Sequence, residues 1–391
     1  MINVHNNWDP LEEIWLGDTW PTNFYDNIKN TEVKDAFYQL TEWTKEDLTA
    51  IQKKFEEFDV IVRRPAIDES KRELYTLNEK STILRKPPIC PRDFHGVLGN
   101  NLFIGNDLPQ CYDSIYAHYD QSQMHRTSDI DVPDVRGPNF VKLGKDVIFD
   151  HTNTHLIGKT EEKKEHVFRE MQQFEKLEGK WFGKDYRLHF TTNGEHTDSC
   201  YMPVKEGLVL TTEYVDGYES MMPGWKTIGI KSPSYKAEAV YENKGDSSRD
   251  MPMDKWEGNF AGMMDNAPAH FNSYIQQYCK DWVGDYKETH FEVNVVPIDD
   301  KNLICSDTSG LFDELFIELE NHGITCHKVP WRTRGFWDGG IHCITLDVRR
   351  RGNLVDYFPD RKDVGISSIK DQSFANTQQF LKEYNEWKSQ H

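Results

Sequence analysis

The sequence predicts an α/β fold in which one ββαβ unit recurs about five times around a common axis. Three observations lead there. A hairpin, an amphipathic helix and a further strand follow one another twice in full and elsewhere in part. Hydrophobic residues make up 37% and aromatics 13% of 391 positions, enough for a sizeable core and too many for a disordered chain. The acidic charge is dispersed and no low-complexity tract interrupts the pattern, so residues 1–360 read as a single domain and 361–391 as a helical tail. A ββαβ unit cannot bury both of its faces alone, which is why the copies are expected to pack together.

In chain order, Lys45 to Phe58 sets Leu48, Ile51, Phe55 and Phe58 on one helical face, and Val60-Ile61-Val62 follows as a strand. Phe94–Gly105 reads as a hairpin turning at Gly99-Asn100-Asn101. Phe140 to Phe149 reads as two strands around Gly144-Lys145-Asp146. Glu162 to Leu177 then gives a helix with Val167, Phe168, Met171 and Phe174 at helical spacing, and Tyr186 to Phe190 a strand. Tyr201–Leu210 is a second hairpin, around Lys205-Glu206-Gly207. The full order returns where Phe291, Val293 and Val295 alternate with Glu292 and Asn294, as in a strand. Asp299-Asp300-Lys301-Asn302 turns the chain and Leu303-Ile304-Cys305 brings it back. A helix carrying Leu311, Leu315 and Leu319 ends at a Gly323 cap, and Thr325–Val329 is its strand. Segments 106–131 and 240–272 lack periodicity and read as long loops over a site.

Charge and cysteine usage exclude several classes. Lys plus Arg is 46 against 65 Asp plus Glu, a formal net charge of −19, which disfavours nucleic acid or an anionic membrane as partner. The longest apolar runs fall far short of the roughly 20 residues needed to span a bilayer. Met1 to Asn7 has neither the basic start nor the apolar stretch of a signal peptide, so a cytoplasmic protein is expected. The seven cysteines (90, 111, 200, 279, 305, 326 and 343) are odd in number, show no CxxC pair and have no zinc spacing. Free thiols are expected, most of them small buried hydrophobes.

Three segments have chemical potential. Gly194-Glu195-His196-Thr197-Asp198 puts a histidine and a carboxylate two apart after a strand, on one face if the segment is extended. Taken alone, a surface pair explains it as well. Cys90-Pro91-Arg92-Asp93 leads into a strand and would set Asp93 at its end, although Pro-Arg-Asp is also an ordinary loop. Trp337-Asp338-Gly339-Gly340-Ile341-His342-Cys343 pairs two glycines, which let the backbone approach a ligand, with a cysteine opening a strand that ends in Arg349-Arg350-Arg351.

Together, and in this order, these segments resemble the amidinotransferases of the guanidino-group-modifying superfamily, of the arginine:glycine type and its bacterial relatives. Asn7-Trp8-Asp9-Pro10-Leu11 through Gly17 resembles the family's opening strand, Pro91-Arg92-Asp93 its Pro-Arg-Asp motif and His196-Thr197-Asp198 its His-x-Asp. Gly339-Gly340-Ile341-His342-Cys343 through Gly352 resembles the nucleophile segment, and the similarity runs with gaps over residues 3–360. The resemblance implies a five-bladed, pseudo-symmetric α/β propeller of ββαβ modules as the catalytic domain. It also implies an amidinotransferase. Cys343 would attack the guanidinium carbon, His196 would protonate the departing amine and later deprotonate the acceptor, and Asp93 and Asp198 would bind the guanidinium N–H groups. An arginine donor would leave ornithine, and a glycine-like acceptor would give a guanidinoacetate-type product. No metal or organic cofactor is implied. The partners are a small-molecule guanidine donor and amine acceptor, with a homodimer as the candidate assembly.

Two stretches depart from the family pattern. The family places a carboxylate behind the histidine, in a turn before a Phe strand; here the turn reads Asp134-Val135-Arg136-Gly137-Pro138-Asn139-Phe140. An ungapped match puts Arg136 at that place, whereas a longer loop would let Asp134 fill it, so both remain candidates. Residues 211–217 contain no arginine to hold a donor carboxylate. The competing readings are a guanidine or arginine hydrolase of the same superfamily, in which water resolves the thioether, and a catalytically impaired guanidine-binding homologue.

Overall fold

The computed structural model describes residues 1–77, 83–105, 110–129, 135–150, 185–192, 196–212, 215–216, 221–230, 269–279, 293–306, 313–337, 339–361, 366–369 and 377–391, with a few isolated positions between them. Strand β1 (Leu11–Leu16) takes β2 (Ile61–Arg63) as a parallel neighbour. In the second sheet β3 (His95–Leu98) and β4 (Asn101–Ile104) form an antiparallel hairpin, and β5 (Met124–Arg126) joins β4 in parallel. The same rule gives β6 (Phe140–Leu143), β7 (Asp146–Asp150) and β8 (Arg187–Thr192). It also gives β9 (Tyr201–Lys205) and β10 (Leu208–Thr212), followed by the short β11 (Val215–Asp216) and then β12 (Lys226–Ile230), which lies parallel to β10. It recurs in β13 (Val296–Pro297), β14 (Asn302–Ser306) and β15 (Thr325–Val329). Finally β16 (Thr345–Arg350) pairs antiparallel with β1 and completes the first sheet from the far end of the sequence. Every one of the five sheets among the described residues therefore has an antiparallel pair plus a parallel third strand. The β6–β8 sheet gains two more strands. Strand β17 (Ile366–Ile369) lies parallel to β8 and β11 antiparallel to β17, so the segment after residue 361 contributes to a sheet before it turns helical.

The hairpins turn where the sequence says they should. Gly99 and Gly207 sit at φ 58° and 79°, a region that costs a Cβ-bearing residue steric energy. Helix α1 (Thr31–Glu56) links β1 to β2 and begins well before Lys45, capped by the Asn30 side chain on the Val33 N–H. Its middle buries polar residues among the apolar ones. Thr44 turns its hydroxyl to the Leu40 carbonyl and receives the Trp337 indole N–H, while Asp47 binds Arg332. Helix α2 (Ala269–Tyr278) packs on α1, α3 (Asp313–Asn321) joins β14 to β15, and α4 (Thr377–Lys388) lies near the end of the chain. Gly323 follows α3 at φ 75°, as its cap requires.

Two expectations need correction. Segment 106–131 is not one long loop: it holds a helical turn at Asp113–Tyr116 and strand β5. Tyr112, Tyr116 and Tyr119 order it by packing around Trp15, an aromatic cluster that no short-period pattern reveals. Nor do Val293 to Val295 continue a strand. The Val295 N–H closes a tight turn onto the Val293 carbonyl, and pairing begins only at Val296. Most of 162–177 and nearly all of 240–272 lie outside the described residues.

The N-terminal arm ties the sheets together. Val4 exchanges hydrogen bonds with Gly99 in the β3–β4 turn, Gly144 in the β6–β7 turn donates to His5, and Asn3 bonds Val348 and Arg350 of β16. Asn7 reaches Met202 of β9, and the Leu11 N–H reaches Ile298 beside β13. Residues 3–11 thus touch all five sheets. None of the seven cysteines forms a disulfide among the described residues. Among the described residues no helix is long and apolar enough to cross a membrane.

Candidate active site

The site forms where the turns preceding three strands converge. The chain leaves the helical turn Arg334–Trp337, passes Gly339 and Gly340, and winds through a turn at 341–344 into β16. That turn is held by Thr345, whose hydroxyl donates to the Ile341 carbonyl at 2.8 Å. Trp331 adds an indole N–H to the Gly339 carbonyl at 2.7 Å. The neighbours approach closely at both positions, tightly at Gly339 and too closely for a side chain at Gly340. A Cβ on Gly339 would lie 3.1 Å from the Cys343 Cβ and 3.4 Å from the Cys90 Sγ, and one on Gly340 would lie 2.6 Å from Asn294. Cys343 is 2% exposed. Its N–H donates to Asn294 Oδ1 at 2.9 Å, and Asn294 Nδ2 donates to its Sγ at 3.1 Å.

Asp198 comes from the opposite side. His196 immediately precedes a helical turn, Thr197–Cys200, so the pair is not extended as the His-x-Asp spacing suggested. Thr197 fixes this turn by donating its hydroxyl to the Asn139 carbonyl at 2.7 Å, which brings His196 beside the segment that contains Arg136. Asp198 is fully buried. Its Oδ2 accepts a hydrogen bond from His342 Nδ1 at 2.7 Å, and its Oδ1 has no hydrogen-bond partner among the described residues. Burial, with the Arg92 charge behind it, pushes the His342 imidazole down to about 4, so the ring is neutral and Nδ1 carries the donated proton. An orphaned buried carboxylate oxygen costs free energy unless a cation arrives to use it.

Asp93 lies in the single 3₁₀ turn Pro91–Phe94, started by a proline at its first position and leading into β3. Its carboxylate is 30% exposed, with Lys86 Nζ 3.8 Å away. Burial raises the Cys343 thiol well above its ordinary range, and the negative charge of Asp198, the Cys90 sulfur and Asp93 add to this, while the Asn294 hydrogen bond works the other way. The resting thiol is therefore protonated at neutral pH. A cation placed among these carboxylates would reverse the electrostatic part of that effect.

Beneath the site, Arg92 binds the two motifs into one body. Its Nε donates to the carbonyls of His342 and Thr345 at 2.9 and 3.1 Å, and its Nη2 meets Asp347 at 2.8 Å. Asp347 also takes Arg350 at 2.9 Å and Lys142 at 3.3 Å, and these three cations hold its carboxyl well below the usual range. Gly137 packs against Arg92, where a Cβ would approach the Arg92 Cγ to 2.4 Å.

Of the residues singled out from sequence, Cys343, Asp198 and Asp93 lie close enough for both carboxylates to act on the thiol. His196 is half-buried at the start of the Asp198 turn, Arg136 is exposed, and Asp134 lies outside the described residues. Sequence reasoning missed Asn294, His342 and the roles of Arg92 and Asp347. Three of these stand inside quoted motifs, but Asn294 carries no signal beyond one polar residue in an apolar run. Among the described residues no group of three or more His, Cys, Asp or Glu is arranged to hold a metal ion.

Comparison with known proteins follows the same lines. No protein-family model matches the chain. Glycine amidinotransferase of Gallus gallus is 38% identical over 66 residues, an alignment that spans 17% of this chain and 15% of that protein. Inosamine-phosphate amidinotransferase 1 of Streptomyces glaucescens is 21% identical over 398 residues, covering 91% and 99%. Among solved structures, SxtG, an amidinotransferase of the saxitoxin biosynthetic pathway from Microseira wollei, superposes with a TM-score of 0.57 at 16% identity, covering 91% and 99%. The inosamine-phosphate amidinotransferase StrB1 of Streptomyces griseus gives the same score and coverage at 18% identity. The likeness extends over the whole length of both solved chains, and the protein has the amidinotransferase fold.

Proposed function

We propose that this protein is an amidinotransferase working through a covalent Cys343 intermediate, with its five sheets arranged as blades around the segment 3–11. The observation that carries the reading is Asp198: a fully buried carboxylate with one oxygen on neutral His342 and the other unpartnered among the described residues, beside a buried thiol. A planar guanidinium supplies the N–H groups that Oδ1 lacks, and Asp93 adds a second anionic acceptor.

The reaction then runs in two halves. Cation binding among the carboxylates favours transfer of the Cys343 proton to His196, and Sγ attacks the guanidinium carbon. The C–N bond to the departing nitrogen breaks as that nitrogen takes a proton from His196. An amidino-thioether remains on Cys343. In the second half an acceptor amine attacks the same carbon, gives its proton to His196, and the C–S electron pair returns to sulfur. Asp134 is our choice for the carboxylate orienting His196, because a group that alternates between acid and base gains from a fixed partner. Arginine as donor and a small primary amine as acceptor follow from family likeness alone.

Incubation with arginine and a panel of amines tests the reading. The expected result is an amidino adduct by intact mass that is absent in Cys343→Ser, with ornithine and new guanidino products when amines are added. Citrulline or urea without transfer would make the protein a hydrolase instead.

A further inference from the structure

We propose that Asn294 is the positioning residue of the nucleophile, its side-chain amide holding Cys343 at two points so that the sulfur is fixed and its ionised form favoured. This rests on the reading of Cys343 as the nucleophile.

The backbone decides the pose of the amide. The Cys343 N–H can only donate, so the atom that meets it at 2.9 Å must be Oδ1, and Nδ2 is then the atom 3.1 Å from Sγ. An N–H aimed at sulfur favours the thiolate, a stronger acceptor than the thiol. Two further features converge on the same residue. The tight turn at Val293–Val295 interrupts the strand expected there, and the Asn294 carbonyl accepts the His342 N–H at 3.3 Å, tying the turn to the nucleophile segment. Gly340 leaves room for the amide, since a Cβ there would come within 2.6 Å of both the Asn294 Cβ and Oδ1. The surroundings make such a donor necessary. Burial opposes ionisation of Cys343 most strongly, Asp198, Cys90 and Asp93 oppose it as well, and the Asn294 hydrogen bond acts against them. The same N–H is in place to donate to the sulfur as it takes back the electron pair when the C–S bond breaks in the second half-reaction.

Two variants separate this role from simple packing. Asn294→Asp keeps an acceptor for the Cys343 N–H but replaces the donor to sulfur with a carboxylate. Gly340→Ala leaves Asn294 intact and pushes its amide aside. The measurement is the rate at which iodoacetamide labels Cys343 as pH is raised, followed by peptide mass spectrometry on the full chain, with amidino-adduct formation measured beside it. Both variants should shift the labelling profile to higher pH, slowing it at least about tenfold at fixed pH below the midpoint, the size of one lost hydrogen bond to a charged group. Adduct formation should slow in parallel. A purely structural role would lower the folded fraction without moving the profile. Unchanged profiles in folded variants would overturn the proposal. If wild-type protein forms no adduct with any guanidine while the labelling profiles still move, the clamp stands and the amidinotransferase reading falls.

Discussion

On the proposed reading, Asp198 is the residue that meets the guanidinium most directly. Among the described residues no cation pairs with this buried carboxylate, which is costly unless a bound ligand supplies one. Asp198→Asn keeps the size and removes the charge, so adduct formation from a guanidine should fall at least about tenfold. The fold should be retained, because the new amide can still accept from His342. Mass-spectrometric adduct rates beside a circular-dichroism melt check both halves, and wild-type kinetics would remove Asp198 from the site. Arg136 poses the second question at this scale. Its side chain is exposed, while the turn that begins with it is docked against Arg92 and the His196 turn. On the Asp134 reading, Arg136→Ala should leave turnover within about twofold of wild type, and Asp134→Asn should lose tenfold or more, as for loss of an orienting carboxylate. The reverse pattern would assign the place to Arg136.

At the scale of elements, the Pro91–Phe94 turn, β6 and β16 meet at Asp347. Its carboxylate serves Arg92, Lys142 and Arg350, all buried. Asp347→Ala would strand three cations, and breaking a buried ionic cluster in this way costs about 3–5 kcal/mol. Urea unfolding should register that loss, far beyond anything seen for Asp198→Asn. Lys142 gives the same cluster a pH signature. Burial lowers its ammonium from 10.5 to about 8, with Asp347 resisting the shift. Between those two values the unfolded chain binds more protons than the folded one, so the contribution of Lys142 to stability rises with pH across that window. Wild type should therefore gain on Lys142→Met as pH climbs from 8 to 10.5. A constant difference between the two would show that Lys142 does not titrate there.

At the scale of the whole molecule, the N-terminal arm sets the cooperativity. Residues 3–7 bond to the β3–β4 and β6–β7 turns, β9 and β16, so four sheets share a segment of five residues. Deleting residues 1–7 should leave individual sheets without that shared seam, giving a broadened or multiphasic thermal transition in place of a sharp one. A single transition with an unchanged midpoint would mean that the sheets hold together by their direct packing.

The sequence by itself determined the repeating unit, because hairpin turns demand glycine at positive φ and helices demand apolar spacing, both local rules. Gly99, Gly207 and Gly323 each stand where a turn or cap was expected. It also singled out Cys343, Asp93 and Asp198, by resemblance to one chemistry, and the fold sets the two carboxylates near the thiol. Local rules could not find the partners of Thr44 and Asp47, buried polar residues of α1 whose contacts lie hundreds of residues away. They could not order the Tyr112–Tyr119 stretch, which depends on Trp15 from another strand. Above all they read Asn294 as one polar position in a β alternation. Only the tertiary structure turned that stretch out of the strand and set the amide against a cysteine 49 residues further along the chain. A side chain whose partners are distant in sequence leaves no periodic trace, because what fixes it is the shape of the assembled core.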